Sequence, residues 1–182
     1  MERLKIATVW LGGCAGCHMS FLDLDEFLID LAGMVEIVYS PIADVKEYPE
    51  GVDVCLIEGA VCNEDNLELL HKIRARTKVV VSFGDCAVTG NVPAMRNQFG
   101  IGNADNVLQR AYIENTQYNP VKPKQDGIVP PLLKNVLPVH ELVFVEHFLP
   151  GCPPPADRIK ALMVQVLEGK APKLEGKQLK FG

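Results

Sequence analysis

Short apolar runs alternate with amphipathic segments along most of the chain. Five runs are rich in β-branched residues and are closed by turn residues, as strands are: residues 5–11, 35–40, 52–59, 78–84 and 141–149. Most of these runs are apolar almost throughout, which is typical of strands covered on both faces. The pattern therefore predicts five largely buried strands.

Amphipathic helices are predicted in three places between and after these strands. Leucine and phenylalanine side chains over residues 24–31 follow the spacing of one helix face, and Ser20 is a candidate cap. A second helix is predicted over residues 64–76, and a third follows the prolines at 153–155 and ends at Gly169. This alternation predicts an α/β fold with an open, mainly parallel, flavodoxin-like sheet and helices on both faces.

The regular alternation is interrupted at residues 87–139. A short helical pattern over residues 104–113 is followed by a segment too rich in proline for a core helix or a central strand. An insertion of this length usually covers a site or docks a partner. We expect one domain over residues 1–182, with this proline-rich insertion and a polar tail from about residue 170.

Charge and length narrow the possible partners. The chain has 182 residues, a formal net charge of -5 and 48% hydrophobic residues, which is enough for one sizeable core. The acidic balance and the lack of a dense basic cluster argue against nucleic acid or an anionic membrane as partner. No secretory signal and no membrane-spanning run is predicted. We expect a cytoplasmic protein.

Four of the six cysteines follow the carboxyl ends of predicted strands. Cys14 and Cys17 follow the first strand, Cys86 follows the fourth and Cys152 follows the fifth. In an open parallel sheet these ends share one edge, where ligands bind. We therefore expect four thiols to converge there, enough to ligate one metal centre.

The other two cysteines belong to the third strand and its exit. Cys55 lies inside the apolar run, where a free cysteine behaves as a small buried hydrophobe. Cys62 follows the strand closely enough to reach the same edge, so its role stays open.

Several kinds of site use such thiols. Thiolates on several loops suit a cubane iron–sulfur cluster, because the cluster is larger than a single metal ion and is surrounded by its ligands. The neighbouring glycines allow backbone N–H groups to approach the sulfurs. Structural zinc more often takes two close pairs and is the second choice. A thioredoxin-like pair explains Cys14 and Cys17 but leaves Cys86 and Cys152 without a role. A flavodoxin-type phosphate turn relies on hydroxyls, which GGCAGC lacks.

Four motifs give the chain a resemblance to the small subunit of [NiFe] hydrogenases, specifically the short type of the cytoplasmic NAD-reducing, bidirectional enzymes. The motifs are WLGGCAGCHMSFLDLDE, LIEGAV, SFGDCA and LPGCPPPADRI, and the likeness runs from Trp10 to about Leu167. G-C-P-P after a strand is a specific signal, whereas C-x-x-C alone is not. The cluster-bearing subunit of respiratory complex I resembles this chain less, because it begins with adjacent cysteines.

The resemblance implies a cofactor and partners. Cys14, Cys17, Cys86 and Cys152 would bind one [4Fe–4S] cluster, proximal to a nickel–iron centre housed in a separate large subunit. This chain would hold no nickel, and electrons would leave through diaphorase subunits that carry iron–sulfur centres, FMN and the NAD site. The chain would thus be one subunit of a hydrogen:NAD+ oxidoreductase. No motif indicates an additional flavin.

Three further residues near these motifs raise specific expectations. Glu58 ends an apolar strand, and because an unpaired buried carboxylate is costly, it must reach solvent, accept backbone N–H bonds or lie at the interface with a raised pKa. We hypothesise a proton relay there, against a purely structural role. Trp10 is expected between the cluster loop and the partner, or in the core. His18 lies beside Cys17 and could ligate metal or bond a cluster sulfide, but a histidine at a helix start is more often a solvated or capping residue, which is what we expect.

Overall fold

The computed structural model describes residues 3–100, 102–170 and 172–176. Within these ranges the strands are β1 Leu4–Trp10, β2 Val35–Tyr39, β3 Val52–Glu58, β4 Val61–Asn63, β5 Thr77–Phe83, β6 Leu132–Leu137 and β7 His147–Leu149. Five of them form one sheet in the order β2-β1-β3-β5-β7, and every neighbouring pair is parallel. All five strands therefore present their carboxyl ends at the same edge.

Helices connect and cover these strands. They are α1 Gly16–Leu22, α2 Phe27–Met34, α3 Glu64–Arg76, α4 Asp85–Thr89, α5 Asn91–Ala94, α6 Asn103–Gln109 and α7 Ala156–Leu167. Two 3-10 turns cover Met95–Phe99 and Val139–Glu141, and a π turn covers Arg110–Glu114. The predicted helices over residues 64–76 and after the prolines at 153–155 are confirmed.

Alternating side chains of the strands build a core on each face of the sheet, because successive residues of a strand point to opposite sides. One core packs strand residues such as Leu56 and Phe83 against α1, α2 and α7. The other packs Cys55, Ile57 and Val80 against α3 and α4. The predicted α/β class, with helices on both faces of a parallel sheet, is confirmed. Cys55 is fully buried, as expected.

The helix predicted over residues 24–31 corresponds to α2, which begins only at Phe27. Helices α1 and α2 are separated at Asp25, whose φ of +50° is left-handed and cannot continue a helix. Ser20 lies inside α1 rather than at a cap. Its hydroxyl donates to the carbonyl oxygen of Pro154 at 2.6 Å and so ties α1 to the loop before α7.

The strand predicted over residues 141–149 is wrong for most of its length, since β7 begins only at His147. The carboxylate of Glu146 accepts the backbone N–H of Val80 at 2.7 Å and is held by Arg74 at 2.8 Å. This side chain occupies the position on β5 at which a longer strand would pair. The parallel ladder therefore begins one residue later.

The insertion forms a separate layer beside the sheet. Strand β6 pairs with β4 in an antiparallel ribbon outside the main sheet, and the helical pattern predicted over residues 104–113 corresponds to α6 and the π turn. Arg96 donates to the carbonyl of Leu133 at 2.7 Å, and Asn103 donates to that of Lys134 at 2.6 Å. Side chains from the insertion's own helical part therefore hold β6 in place.

Most of the predicted tail, residues 177–182, lies outside the described residues, as does residue 171. None of the helices in the described ranges is long and apolar enough to cross a membrane.

Candidate functional site

The turn that carries Cys14 and Cys17 leaves β1 at the carboxyl edge of the sheet. Gly12 and Ala60 exchange two backbone hydrogen bonds of 2.9 and 2.8 Å, which hold this turn against the exit of β3. Ala15 then adopts a left-handed φ of 66°, and α1 begins at the next residue. The turn that carries the two thiols is thereby held at the carboxyl end of β3, the central strand of the sheet.

The carboxylate of Glu58 caps the start of α1. Glu58 is 2% exposed, and its oxygens accept the backbone N–H groups of Cys17 at 3.4 Å and of His18 at 2.9 Å. The Nδ1 atom of His18 also contacts this carboxylate. A negative charge at a helix N-terminus is stabilising and satisfies otherwise orphaned donors. Of the three expectations for Glu58, the structure shows the one in which the carboxylate accepts backbone N–H bonds. His18 is part of the same helix cap, as one of its expected roles required.

The loops that carry Cys86 and Cys152 are joined by paired hydrogen bonds. The backbone N–H of Asp85 donates to the carbonyl of Gly151 at 2.9 Å, and the N–H of Gly151 donates to the carboxylate of Asp85 at 2.6 Å. Asp85 itself is buried. Since β5 and β7 are neighbours in the sheet, this pair continues the strand pairing into the loops and fixes the third cysteine relative to the fourth.

Gly84 is the point where three of these loops meet. A Cβ atom at this position would lie 2.2 Å from the Sγ atom of Cys17 and 3.5 Å from the carbonyl oxygen of Gly151. Its φ of +85° is also one that side chains disfavour. Only glycine therefore lets the Cys17 sulfur approach the loop that leads to Cys86.

The four thiols act on one another electrostatically. The pKa of Cys17 is raised well above its usual value. Burial is the largest cause, and negative charge on neighbouring groups adds to it, in the order Glu58, Cys86, Cys14 and Cys152. Burial, then Cys152, Cys14 and Glu58, raises the pKa of Cys86 to about 11, and a hydrogen bond from Asn91 opposes this rise. All four cysteines lie in loops at the carboxyl ends of β1, β5 and β7, and their role as ligands of one centre stays a prediction.

The donor set fits an iron–sulfur cluster. All four sulfurs are free thiols, Cys17 is buried, Cys86 is half-buried, and Cys14 and Cys152 are exposed at the edge. In the ranges that the structure describes, no three His, Cys, Asp or Glu side chains are close enough together to hold a single metal ion. The four thiols line an edge on several loops, the arrangement of soft ligands that a cluster requires.

The positions of Cys62 and Trp10 decide what each side chain contacts. The Sγ atom of Cys62 lies under Gly12, where a Cβ atom would come within 2.1 Å of it, and it donates to the carbonyl of Ala60 at 3.5 Å. Cys62 therefore packs beneath the first turn. Trp10 is 47% exposed at the end of β1, so the core alternative for Trp10 is wrong.

One polar contact at the site was not anticipated from the sequence. The side-chain amide of Asn91 donates to the Sγ atom of Cys152 at 3.5 Å. The sequence feature that could have indicated this turn is the Gly90–Asn91 pair shortly after Cys86, because glycine and asparagine both tolerate left-handed backbone conformations. Nothing local indicated that the turn would face a cysteine of a distant segment.

Comparison with known proteins agrees with this fold. Residues 14–166 match the family described as NADH ubiquinone oxidoreductase, 20 Kd subunit. One subunit of the F420-non-reducing hydrogenase vhu of Methanococcus voltae is 42% identical over 97% of this chain, which spans 60% of that relative. The delta subunit of the NAD-reducing hydrogenase HoxS of Cupriavidus necator is 38% identical over 92% of this chain and 80% of its own length.

A solved structure extends the similarity to three dimensions. A chain in the crystal structure of NAD+-reducing [NiFe]-hydrogenase in the H2-reduced state superposes with a TM-score of 0.92 and 38% identity, and the match covers 100% of both chains. The family match and these relatives share the region that carries all four edge cysteines. The chain therefore belongs to the NADH ubiquinone oxidoreductase 20 kDa subunit family, and within it to the hydrogenase small subunits.

Proposed function

We propose that this chain is the electron-transfer small subunit of a [NiFe] hydrogenase and holds one [4Fe–4S] cluster on Cys14, Cys17, Cys86 and Cys152. The observation that carries the proposal is the position of four free thiols on three loops that follow β1, β5 and β7 at one sheet edge. A bound cluster of this kind accepts and releases one electron at a time. The thiols would bind it as thiolates, with Gly84 leaving room beside Cys17.

The surface around this edge supports a protein partner, which we propose is the large subunit with the nickel–iron centre. A cavity of about 360 Å³ adjoins the Cys14–Cys17 turn and is lined mainly by apolar side chains, among them Trp10, Met19, Leu22, Ile37 and Ile42. All five of these side chains are at least 46% exposed. Apolar surface of this kind marks an interaction site.

The proposed electron acceptor is a diaphorase module with FMN that reduces NAD. The complete mutual coverage with a chain of an NAD+-reducing enzyme supports this choice over the acceptors of the F420-non-reducing enzymes, of which the chain spans a smaller part. We also propose a cytoplasmic location, because six unpaired thiols suit a reducing compartment.

The proposal is tested by the contents of the anaerobically purified protein. We expect about four iron and four sulfide per chain, a brown colour and a reducible low-potential electron paramagnetic resonance signal, in line with a single cubane. Single Cys→Ser changes at positions 14, 17, 86 and 152 should each abolish or convert this signal. Cys55→Ser and Cys62→Ser are the matched controls and should retain it.

Other compositions would contradict the proposal in different ways. One zinc per colourless chain would favour a zinc-stabilised docking module. Disulfide exchange that depends only on Cys14 and Cys17 would favour a thiol–disulfide oxidoreductase. Co-purification of a nickel-containing subunit and an FMN-containing subunit is the expected result for the partners, and an intact brown chain that never associates with either would contradict that part.

A further inference from the structure

Asn91 stands at the turn that follows Cys86. Its φ of +37° comes directly after Gly90, whose φ is 85°, so the chain reverses through two consecutive residues of positive φ. Asparagine tolerates this conformation better than most residues, but glycine meets the same backbone requirement without any side chain. The turn therefore does not by itself require the amide that Asn91 carries.

The amide group lies between two of the cysteines that the proposed function uses. Its Nδ2 atom donates to the Sγ atom of Cys152 at 3.5 Å, while its backbone belongs to the turn that follows Cys86. These two cysteines follow different strands and are 66 positions apart in the sequence. One neutral donor thus reaches the sulfur of Cys152 from the segment that carries Cys86.

The donor to Cys14, the other exposed thiol of this edge, comes from the backbone. The Sγ atom of Cys14 accepts the N–H of Gly16 at 3.4 Å, a contact within the turn itself. Exposed Cys152, in contrast, receives its donor from the side chain of a remote segment. This difference makes the donor at Cys152 removable by a single substitution.

We propose that Asn91 raises the reduction potential of the iron–sulfur centre by donating N–H to the thiolate of Cys152. The inference rests on the proposed function. A donor that points at a ligand sulfur stabilises the more negative, reduced state more than the oxidised state, because the sulfur carries more charge after reduction. The amide acts on the ligand sulfur and takes no part in breaking or making bonds.

The test is a redox titration of the anaerobically purified full chain, followed by the electron paramagnetic resonance signal of the reduced centre. Asn91→Gly removes the donor and keeps a residue suited to positive φ, so we expect a more negative midpoint potential. Asn91→Asp keeps the side-chain size but replaces the donor with a negative charge, so we expect a larger shift in the same direction.

The matched control is Asn119→Gly. Asn119 also has a positive φ, 45°, but is exposed in the insertion. The control should titrate like the parent protein, which separates the loss of the donor from a general effect of replacing a left-handed asparagine.

The outcomes separate this inference from the proposed function. A parent protein without iron and sulfide overturns the proposed function, and the inference about Asn91 with it. Loaded variants with the potential of the parent overturn the inference alone. Folded Asn91→Gly and Asn91→Asp proteins that cannot hold the centre also overturn it, because they would assign Asn91 to assembly rather than to tuning of the potential.

Discussion

At the scale of single residues, the site is determined by what surrounds each polar group. Glu58 is the clearest case, because a carboxylate with 2% exposure is compensated by two backbone N–H groups and by His18. The carboxylate therefore has a structural role, because it binds the first N–H groups of α1. The proton-relay role stays a prediction and requires a measurement that separates it from this structural role.

The relay prediction is tested with Glu58→Gln. We expect hydrogen turnover to fall while the iron–sulfur spectra persist, because the amide keeps the size of the side chain but cannot carry a proton as a carboxyl does. Thermal unfolding should show a loss of about 1–3 kcal/mol, since the amide accepts fewer of the N–H bonds. Unchanged turnover in an intact complex would leave Glu58 with a structural role only.

Glu146→Gln is the control for that experiment. Glu146 also accepts a backbone N–H group within the sheet, from Val80, but it lies on the ladder between β5 and β7. Its substitution should lower stability similarly and leave the turnover of the folded complex unchanged.

At the scale of elements, the pairing of loops decides whether the thiols from different strands stay together. Asp85 forms the reciprocal bonds with Gly151 that join the loops after β5 and β7. Without them the third and fourth cysteines would depend on the three register pairs between these strands. The carboxylate therefore keeps two separately delivered ligands in register.

The role of Asp85 is tested with two substitutions. Asp85→Ala should lower the content of iron and sulfide and destabilise the protein by about 1–3 kcal/mol, because the N–H of Gly151 loses its buried acceptor. Asp85→Asn retains an oxygen acceptor and should restore most of the cluster content. Iron and sulfide analysis together with thermal unfolding measures both effects.

A second aspartate provides the control. Asp53 accepts the backbone N–H of Lys5 at 2.8 Å and pairs with Lys78 at 2.7 Å, so it joins neighbouring strands near their amino ends. Asp53→Ala should affect stability but not cluster content. Equal loss of cluster content in both alanine variants would contradict a specific role for Asp85.

Elements with a local pattern could be predicted from the sequence, and those shaped by distant contacts could not. Helix α3 has the predicted bounds because its periodicity and its cap at Asn63 are local. The break at Asp25 and the late start of β7 after Glu146 depend on a backbone conformation and on a carboxylate that reaches a distant strand. The edge position of the four cysteines was predictable because strand ends are local features, whereas the contact of Asn91 with Cys152 was not.

At the scale of the whole molecule, the carboxyl edge combines thiols with an apolar surface. The cavity beside the Cys14–Cys17 turn opens next to Ile42, which is 85% exposed. An apolar surface of this kind beside the turn that carries Cys14 and Cys17 is typical of a protein–protein interaction site. The edge is therefore the face on which we expect the large subunit to bind.

The interface is tested with Ile42→Arg. We expect loss of the large subunit from the purified complex while the chain keeps its iron and sulfide, because a charge in an apolar contact costs several kcal/mol. Ile29→Arg is the control, since Ile29 is 75% exposed on α2 but does not line the cavity. Equal retention of the large subunit by both variants would place its binding surface elsewhere.

The short outer strand β7 has a consequence for biosynthesis. It occupies one end of the sheet order, pairs through three residues only, and precedes the last of the four thiols. The chain must therefore be synthesised through Cys152 before this thiol can join the other three. If all four thiols are required, a complete centre cannot form until β7 has paired with β5, so assembly of the centre depends on the docking of this small strand.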